Sequence, residues 1–422
     1  MRFTVTGTDL LFSGSRFLGV ITPVHTPDID SVRARMEAIA ALGPQTRIAL
    51  TPDRSRRRWL YDPSSASDIV QHLPAEIEAL DPVRMLETIR SGRGERRPFI
   101  LYLGRHTIAA DVHHGLGDSG LIKYLAATVF ADMSTDEALS YLPARPLRAP
   151  TLQALRRTFG NRPARTARAV RAMVAFGDDL DAAAYPPSNG RIASPGSSEP
   201  IYASGICEID PEASRELKRW RDLVAPGARS AAIWALLTHR AGAIAGLQFA
   251  TGTRIAVDGR RYLPPGQLYL GNFALGLQLP ISPSDHPKAV SDNLEGIVAT
   301  GAPLMAMGLF GAAAWTAPRL WQARCQRTPR IDDTSRPIDL VFSDVGQWPE
   351  AAIPWVSGEQ RCFAGYLDPD SARGMTIMSS ASGGFRCLSI SYRADAIDRA
   401  AVDRMIELLA DPVGLLEDST WA

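Results

Sequence analysis

Between Tyr185 and Pro200 the sequence runs Tyr-Pro-Pro-Ser-Asn-Gly-Arg-Ile-Ala-Ser-Pro-Gly-Ser-Ser-Glu-Pro. Proline has no N–H to give to a helix or a ladder, and glycine and serine favour open chain, so no regular element crosses this stretch. It divides the 422 residues near their middle. The expected organisation is an N-terminal half over 1–184, a linker over 185–200 and a C-terminal half over 201–422. Domains commonly hold about 100–200 residues, so each half is long enough to bury its own core.

Within each half, apolar residues recur first at strand and then at helix spacing. In the first half, 98–103 and 107–112 read as strands, the second running into His113 and His114. A helix is expected after Asp118 and Ser119, where Leu121, Ile122, Leu125 and Val129 recur at helical intervals. One Arg-rich helix is expected over 152–176. In the second half, helices are expected over 214–223, 228–241, 289–300, 304–325 and 396–409, with strands near 248–257, 273–279, 338–342, 375–379 and 387–392. This interleaving predicts an α/β fold in both halves. No unit of about 20–50 residues repeats, which excludes a solenoid or a propeller.

Charge is balanced, with 46 Lys+Arg against 45 Asp+Glu and a formal net charge of +1. A dedicated nucleic-acid binder carries a basic excess or stripe, so that class is excluded. The run Arg54-Ser55-Arg56-Arg57-Arg58 reads as a solvated loop, although coenzyme A phosphates or an acidic carrier protein would suit it. Nearly all basic residues are arginine, the exceptions being Lys123, Lys218 and Lys288, a compositional bias without functional weight. Cys207, Cys325, Cys362 and Cys387 have neither C-x-x-C spacing nor a histidine cluster, so reduced, buried thiols are expected and no metal site. Residues 1–9 lack the basic and apolar regions of a signal peptide. The longest apolar run, 304–314, is shorter than the roughly 18–20 residues of a spanning helix. A cytoplasmic protein with no membrane span is expected. Trp315 and Trp321, with Leu304 and Leu309, are expected in a helical core rather than along an acyl channel.

The segment richest in chemistry is His113-His114-Gly115-Leu116-Gly117-Asp118-Ser119-Gly120. Gly115, Gly117 and Gly120 match G-x-G-x-x-G between a strand and a helix, and Asp136 or Glu137 follows at about the 20-residue interval of a dinucleotide site. Against that, no second strand closes a βαβ unit, and Asp118 would repel a pyrophosphate at the helix start. The other reading is His-His-x-x-x-Asp, with an imidazole at a strand end facing a channel and a carboxylate fixing the turn. Imidazole has an unperturbed pKa of about 6.5 and accepts a proton from an alcohol or amine at cellular pH. The glycines would then allow close substrate approach and unusual backbone angles. Two adjacent histidines are also compatible with purely local hydrogen bonding.

A second motif lies far away: Val257-Asp258-Gly259-Arg260-Arg261-Tyr262-Leu263-Pro264-Pro265, then Tyr269-Leu270-Gly271-Asn272-Phe273. Together the two motifs resemble the superfamily of chloramphenicol acetyltransferase, nonribosomal peptide condensation domains, polyketide-associated acyltransferases and the plant BAHD enzymes. Val341-Phe342-Ser343-Asp344-Val345-Gly346 resembles that superfamily's Ser-Asn-x-Gly strand end, and the stretch from Cys387 to Asp395 with its following helix resembles a condensation-type ending. The resemblance implies two chloramphenicol-acetyltransferase-like halves forming a pseudo-dimer with a tunnel at their interface. It makes His114 the general base, with His113 a weaker candidate. It makes Asp118 an architectural residue paired with Arg260, and Ser343 a support for the oxyanion. Three departures stand out: Ser119 replaces the usual Gly, Asp344 replaces the usual Asn, and the plant-type Asp-Phe-Gly-Trp-Gly is missing. Gly120 is expected to supply the flexibility lost at Ser119. The function implied is acyl transfer from a thioester, acyl-coenzyme A or an acyl carrier protein, to a small-molecule hydroxyl or amine, by a monomer with no bound cofactor. The rival readings are a non-catalytic module that recruits a carrier protein or partner enzyme, and a nucleotide-dependent oxidoreductase.

Overall fold

The computed structural model describes residues 1–92, 97–130, 134–140, 147, 149–175, 201–320, 336–348, 353–369, 371 and 373–418. The linker expected at 185–200, Trp321 and Cys325 lie outside them. Strands form where β-branched and aromatic residues cluster. In chain order they are β1 (Arg2–Thr4), β2 (Arg16–Thr22), β3 (Leu50–Thr51), β4 (Arg58–Tyr61), β5 (Val70–His72), β6 (Phe99–Leu103) and β7 (Ile108–His113). Then follow β8 (Tyr202–Ile209), β9 (Gly252–Asp258), β10 (Ala274–Pro280), β11 (Asp339–Gln347), β12 (Cys362–Leu367), β13 (Gly374–Ser382) and β14 (Phe385–Arg393).

These build a five-stranded sheet in the order β12-β2-β7-β6-β5, a six-stranded sheet in the order β10-β9-β11-β13-β14-β8, and a small sheet β1-β4-β3. Helices alternate with the strands, so the α/β interleaving expected from spacing is what forms. Helix Ser230–Ile244 is buried from Ala232 to Gly242 and centres the core of the six-stranded sheet.

One strand ignores the seam in the sequence. β12 pairs antiparallel with β2, Cys362 opposite Thr22 and Leu367 opposite Phe17, so a segment from beyond residue 200 completes the N-terminal sheet. Its backbone also leans on the other sheet, Gly365 N–H donating to Ser389 Oγ at 2.9 Å and Leu367 N–H to Ser391 Oγ at 3.2 Å. The two sheets are thereby laced together next to the site described below.

Two expected helices are shorter than the apolar spacing suggested. The run 152–176 forms two helices, Pro150–Phe159 and Pro163–Ala175. Pro163 lacks an N–H and disfavours helical backbone at the residue before it, and Gly160 ends the first helix. The helix expected over 304–325 is Ala302–Thr316 and stops before Pro318.

Candidate active site

β7 carries the chain to His113, which sits opposite Arg16 of β2, and a short turn, His114–Leu116, follows. Strand alternation sends the two imidazoles to different surroundings. His113 Nδ1 accepts the N–H of Gly115 at 3.1 Å, and burial with nearby Arg16 and Arg54 pushes its pKa down to about 3. It is a neutral part of the turn. His114 lines an apolar cavity of about 150 Å³ whose walls include Phe17, Ile122, Leu275, Val341 and Met378. Its ring stacks on Phe12 at 4.6 Å between centroids and meets the edge of Phe17 at 5.4 Å. Burial lowers its pKa too, which keeps the ring neutral at cellular pH.

His114 touches the second sequence motif through Asn272. The asparagine Nδ2 donates to the His114 carbonyl at 2.8 Å, and its Oδ1 lies 3.1 Å from His114 Nδ1. The backbone N–H of Asn272 donates to Asp9 Oδ1 at 3.1 Å. Asp9 is ion-paired with Arg47 at 3.0 Å, and both side chains are buried.

Asp118 and Arg260 form a two-pronged pair, Nη1 to Oδ2 at 3.0 Å and Nη2 to Oδ1 at 2.8 Å. Asp118 also accepts the N–H of Gly120 at 2.9 Å and that of Phe273 at 2.9 Å, and it caps the helix Ser119–Leu125. Burial alone would raise its pKa, but the guanidinium and these amides outweigh it and hold the carboxyl below its ordinary value. Arg260 further donates to the carbonyls of Tyr269 at 2.9 Å and Gly271 at 3.0 Å. With all its acceptor capacity engaged in this way, Asp118 is a brace between residues 142 positions apart.

No protein-family model and no curated protein matches this sequence. Solved structures match over the whole chain. TRI3 trichothecene 15-O-acetyltransferase from Fusarium sporotrichioides superposes with a TM-score of 0.60 at 11% identity, covering 98% of this chain and 95% of its own. TRI101 of F. sporotrichioides, complexed with coenzyme A and T-2, gives 0.55 at 12% identity over 100% and 98%. Polyketide synthase associated protein 5 from Mycobacterium tuberculosis gives 0.54 at 13% identity over 99% and 98%. This chain therefore has the same fold as these solved structures.

Within this fold the glycines of the turn have a different task from the one expected. Gly115, Gly117 and Gly120 all avoid the left-handed region. What they supply is room. A Cβ on Gly117 would lie 2.5 Å from the Leu270 carbonyl oxygen, and one on Gly120 would lie 2.8 Å from Arg260 Nη2. Gly120 therefore makes space for the guanidinium instead of giving flexibility in place of Ser119. The strand also disposes of the dinucleotide reading, because β7 is antiparallel to both neighbours and, among the described residues, no parallel strand closes a βαβ unit around this turn.

The remaining candidates fall around the same cavity or away from it. Ser343 lines it from β11. Asp344 faces Arg386 at 3.4 Å and accepts the N–H of Gly346 at 3.1 Å, at a bulge in β11. Lys123 reaches from the helix after the turn to the Val345 carbonyl at 2.5 Å, tying that helix to the end of β11. The run from Arg54 to Arg58 is partly built into the fold: Arg54 donates to the Ser13 carbonyl, and Arg57 lies 4.4 Å over the Trp315 ring and donates to the Thr316 carbonyl. Leu304 is core as expected, whereas Leu309 is exposed on the opposite face of the helix and Trp315 is exposed at its C-terminal end. Cys207, Cys362 and Cys387 are buried free thiols. Among the described residues no group of side chains is arranged to hold a metal, and no helix is long and apolar enough to cross a membrane.

Sequence reasoning assigned no role to Asn272, Asp9, Arg47 or Phe12. Asn272 stood inside the quoted motif, and Asp9 had a visible signal as the fourth residue of a Thr6-x-x-Asp9 helix start. Nothing local linked either to His114.

Proposed function

We propose that this protein is an acyltransferase that moves an acyl group from a thioester, acyl-coenzyme A or an acyl carrier protein, onto a hydroxyl or amine, in a natural-product or lipid pathway. The observation that carries the reading is a half-buried, neutral His114 on the wall of an apolar cavity, beside a carboxylate already neutralised by Arg260. A coenzyme A complex of a protein with this fold supports the donor class.

In the reaction, the acceptor's O–H or N–H gives its proton to His114 as the heteroatom attacks the thioester carbonyl. The carbonyl oxygen takes up the electron pair, with Ser343 as its support. When the tetrahedral adduct collapses, the C–S bond breaks and the thiolate leaves as a thiol with the proton from His114. No covalent enzyme intermediate forms. Donor and acceptor would enter from opposite faces of a tunnel between the two halves, in a monomer. Holding two substrates in reacting geometry supplies the larger part of the rate.

The test is release of free thiol from a series of short- to long-chain acyl-coenzyme A thioesters and acyl carrier proteins, for the wild type and His114→Ala. Slow transfer to water is expected in the absence of acceptor, with at least about a hundredfold loss in the variant. No His114-dependent release from any donor would leave a recruitment module instead.

A further inference from the structure

We infer that Asn272 is the positioning residue of the imidazole, fixing its proton on Nδ1 so that Nε2 carries the lone pair, and that the buried Asp9–Arg47 pair holds Asn272 in place. This rests on His114 as the general base. A neutral imidazole has two tautomers, and each presents a different nitrogen as the acceptor. The amide of Asn272 selects between them. Its Nδ2 donates to the His114 carbonyl at 2.8 Å, so Oδ1 is the atom 3.1 Å from Nδ1. An oxygen there accepts, and Nδ1 must therefore donate. Turning the amide over would set two oxygens against each other and forfeit the Nδ2 bond.

Asn272 itself has no freedom. Its side chain is wholly buried, and two successive amides are tied to two carboxylates: Asn272 N–H to Asp9 at 3.1 Å and Phe273 N–H to Asp118 at 2.9 Å. Each carboxylate is neutralised by its own arginine, Asp9 by Arg47 at 3.0 Å and Asp118 by Arg260 at 2.8 Å. Arg47 is held in turn by Tyr269 Oη at 2.7 Å. Thr6 backs the same arrangement, its N–H donating to Asp9 Oδ2 at 2.9 Å. The ring thus faces a neutral amide, a neutral His113 and two compensated ion pairs, which orient it without adding charge that would protonate it.

The tautomer is read directly by ¹⁵N NMR of histidine-labelled wild-type protein well above the imidazole titration, with His114→Ala identifying the signals. A protonated-type shift at Nδ1 and an unprotonated-type shift at Nε2 are expected, and the opposite assignment overturns the inference. This readout needs no turnover, so it stands apart from whether acyl transfer is the reaction. In the activity assay, Asn272→Asp places a carboxylate against Nδ1–H and is expected to raise the acid limb of the kcat/KM profile by about one pH unit or more. Asn272→Leu is expected to lower kcat about 10- to 100-fold with KM little changed. A side chain that only supports the fold would leave the acid limb where it is, and that result also overturns the inference.

Discussion

His113 and His114 are half-buried and His239 is buried, and all three have pKa values below the ordinary 6.5, His113 near 3 and His239 near 4. Burial is the main cause in each, since the charged ring loses its water. In the unfolded chain the same groups take up protons at about 6.5. Between the folded and unfolded values the unfolded state binds more protons, so stability is complete above about pH 6.5 and falls as pH drops towards 4. The protein is therefore expected to lose stability through this range well before its carboxylates titrate. Denaturant midpoints measured from pH 7 to 4 check it, and a flat profile would show that these rings are solvated. At this scale the sequence singled out His114, Asp118 and Arg260, which the structure brings together, because each sat in a motif with a fixed residue type. It did not reveal that Asn272 bonds the ring, or that Asp9 bonds Asn272 across 263 positions, because such partners are set by how distant segments pack on each other.

At the scale of elements, close packing explains features that composition suggested were about phosphate or flexibility. The amides of Gly115 and Gly120, which a phosphate would need, are taken by His113 and Asp118 at 3.1 and 2.9 Å. Gly117 lets the turn press against Leu270, the residue three before Phe273, whose own N–H bonds Asp118. Gly117→Ala is expected to push the turn off that segment and cost about 1–3 kcal/mol by overpacking. Urea unfolding measures the cost, and thiol release measures whether His114 moves with the turn; a variant as stable and active as wild type would mean the segment yields without consequence. β12 was the element least visible in the sequence. Cys362-Phe363-Ala364-Gly365-Tyr366-Leu367 is almost wholly buried, so it lacks the alternation that marks a one-sided strand. The break before Pro163 had a clear signal, and apolar spacing on both sides overrode it.

For the molecule as a whole, the cavity beside His114 is where the five-stranded and six-stranded sheets meet, with β12 crossing between them. Gly19 and Ala110 contribute from the five-stranded sheet, Ala256 and Gly276 from the six-stranded one, and Ala364 from β12. Small residues at these positions are what leave space between two sheets that otherwise pack tightly. An apolar cavity of about 150 Å³ is about the size that takes up benzene and excludes water, and this one is about that volume. Among the described residues, no ionisable side chain lines it apart from His114 and the compensated Asp118, so a charged acyl group would be stranded there. The donor series is therefore expected to peak at uncharged acyl groups of about five or six carbons, or one aromatic ring, and to fall for longer chains and for carboxylated ones. Met378 forms one wall, its methyl carbon against Gly365 of β12. Met378→Ala would open that wall towards the crossing strand and move the optimum to longer chains, at a stability cost of about 2–5 kcal/mol. If the optimum stays put while the fold survives, chain length is set outside this cavity and the acyl group reaches His114 by another route.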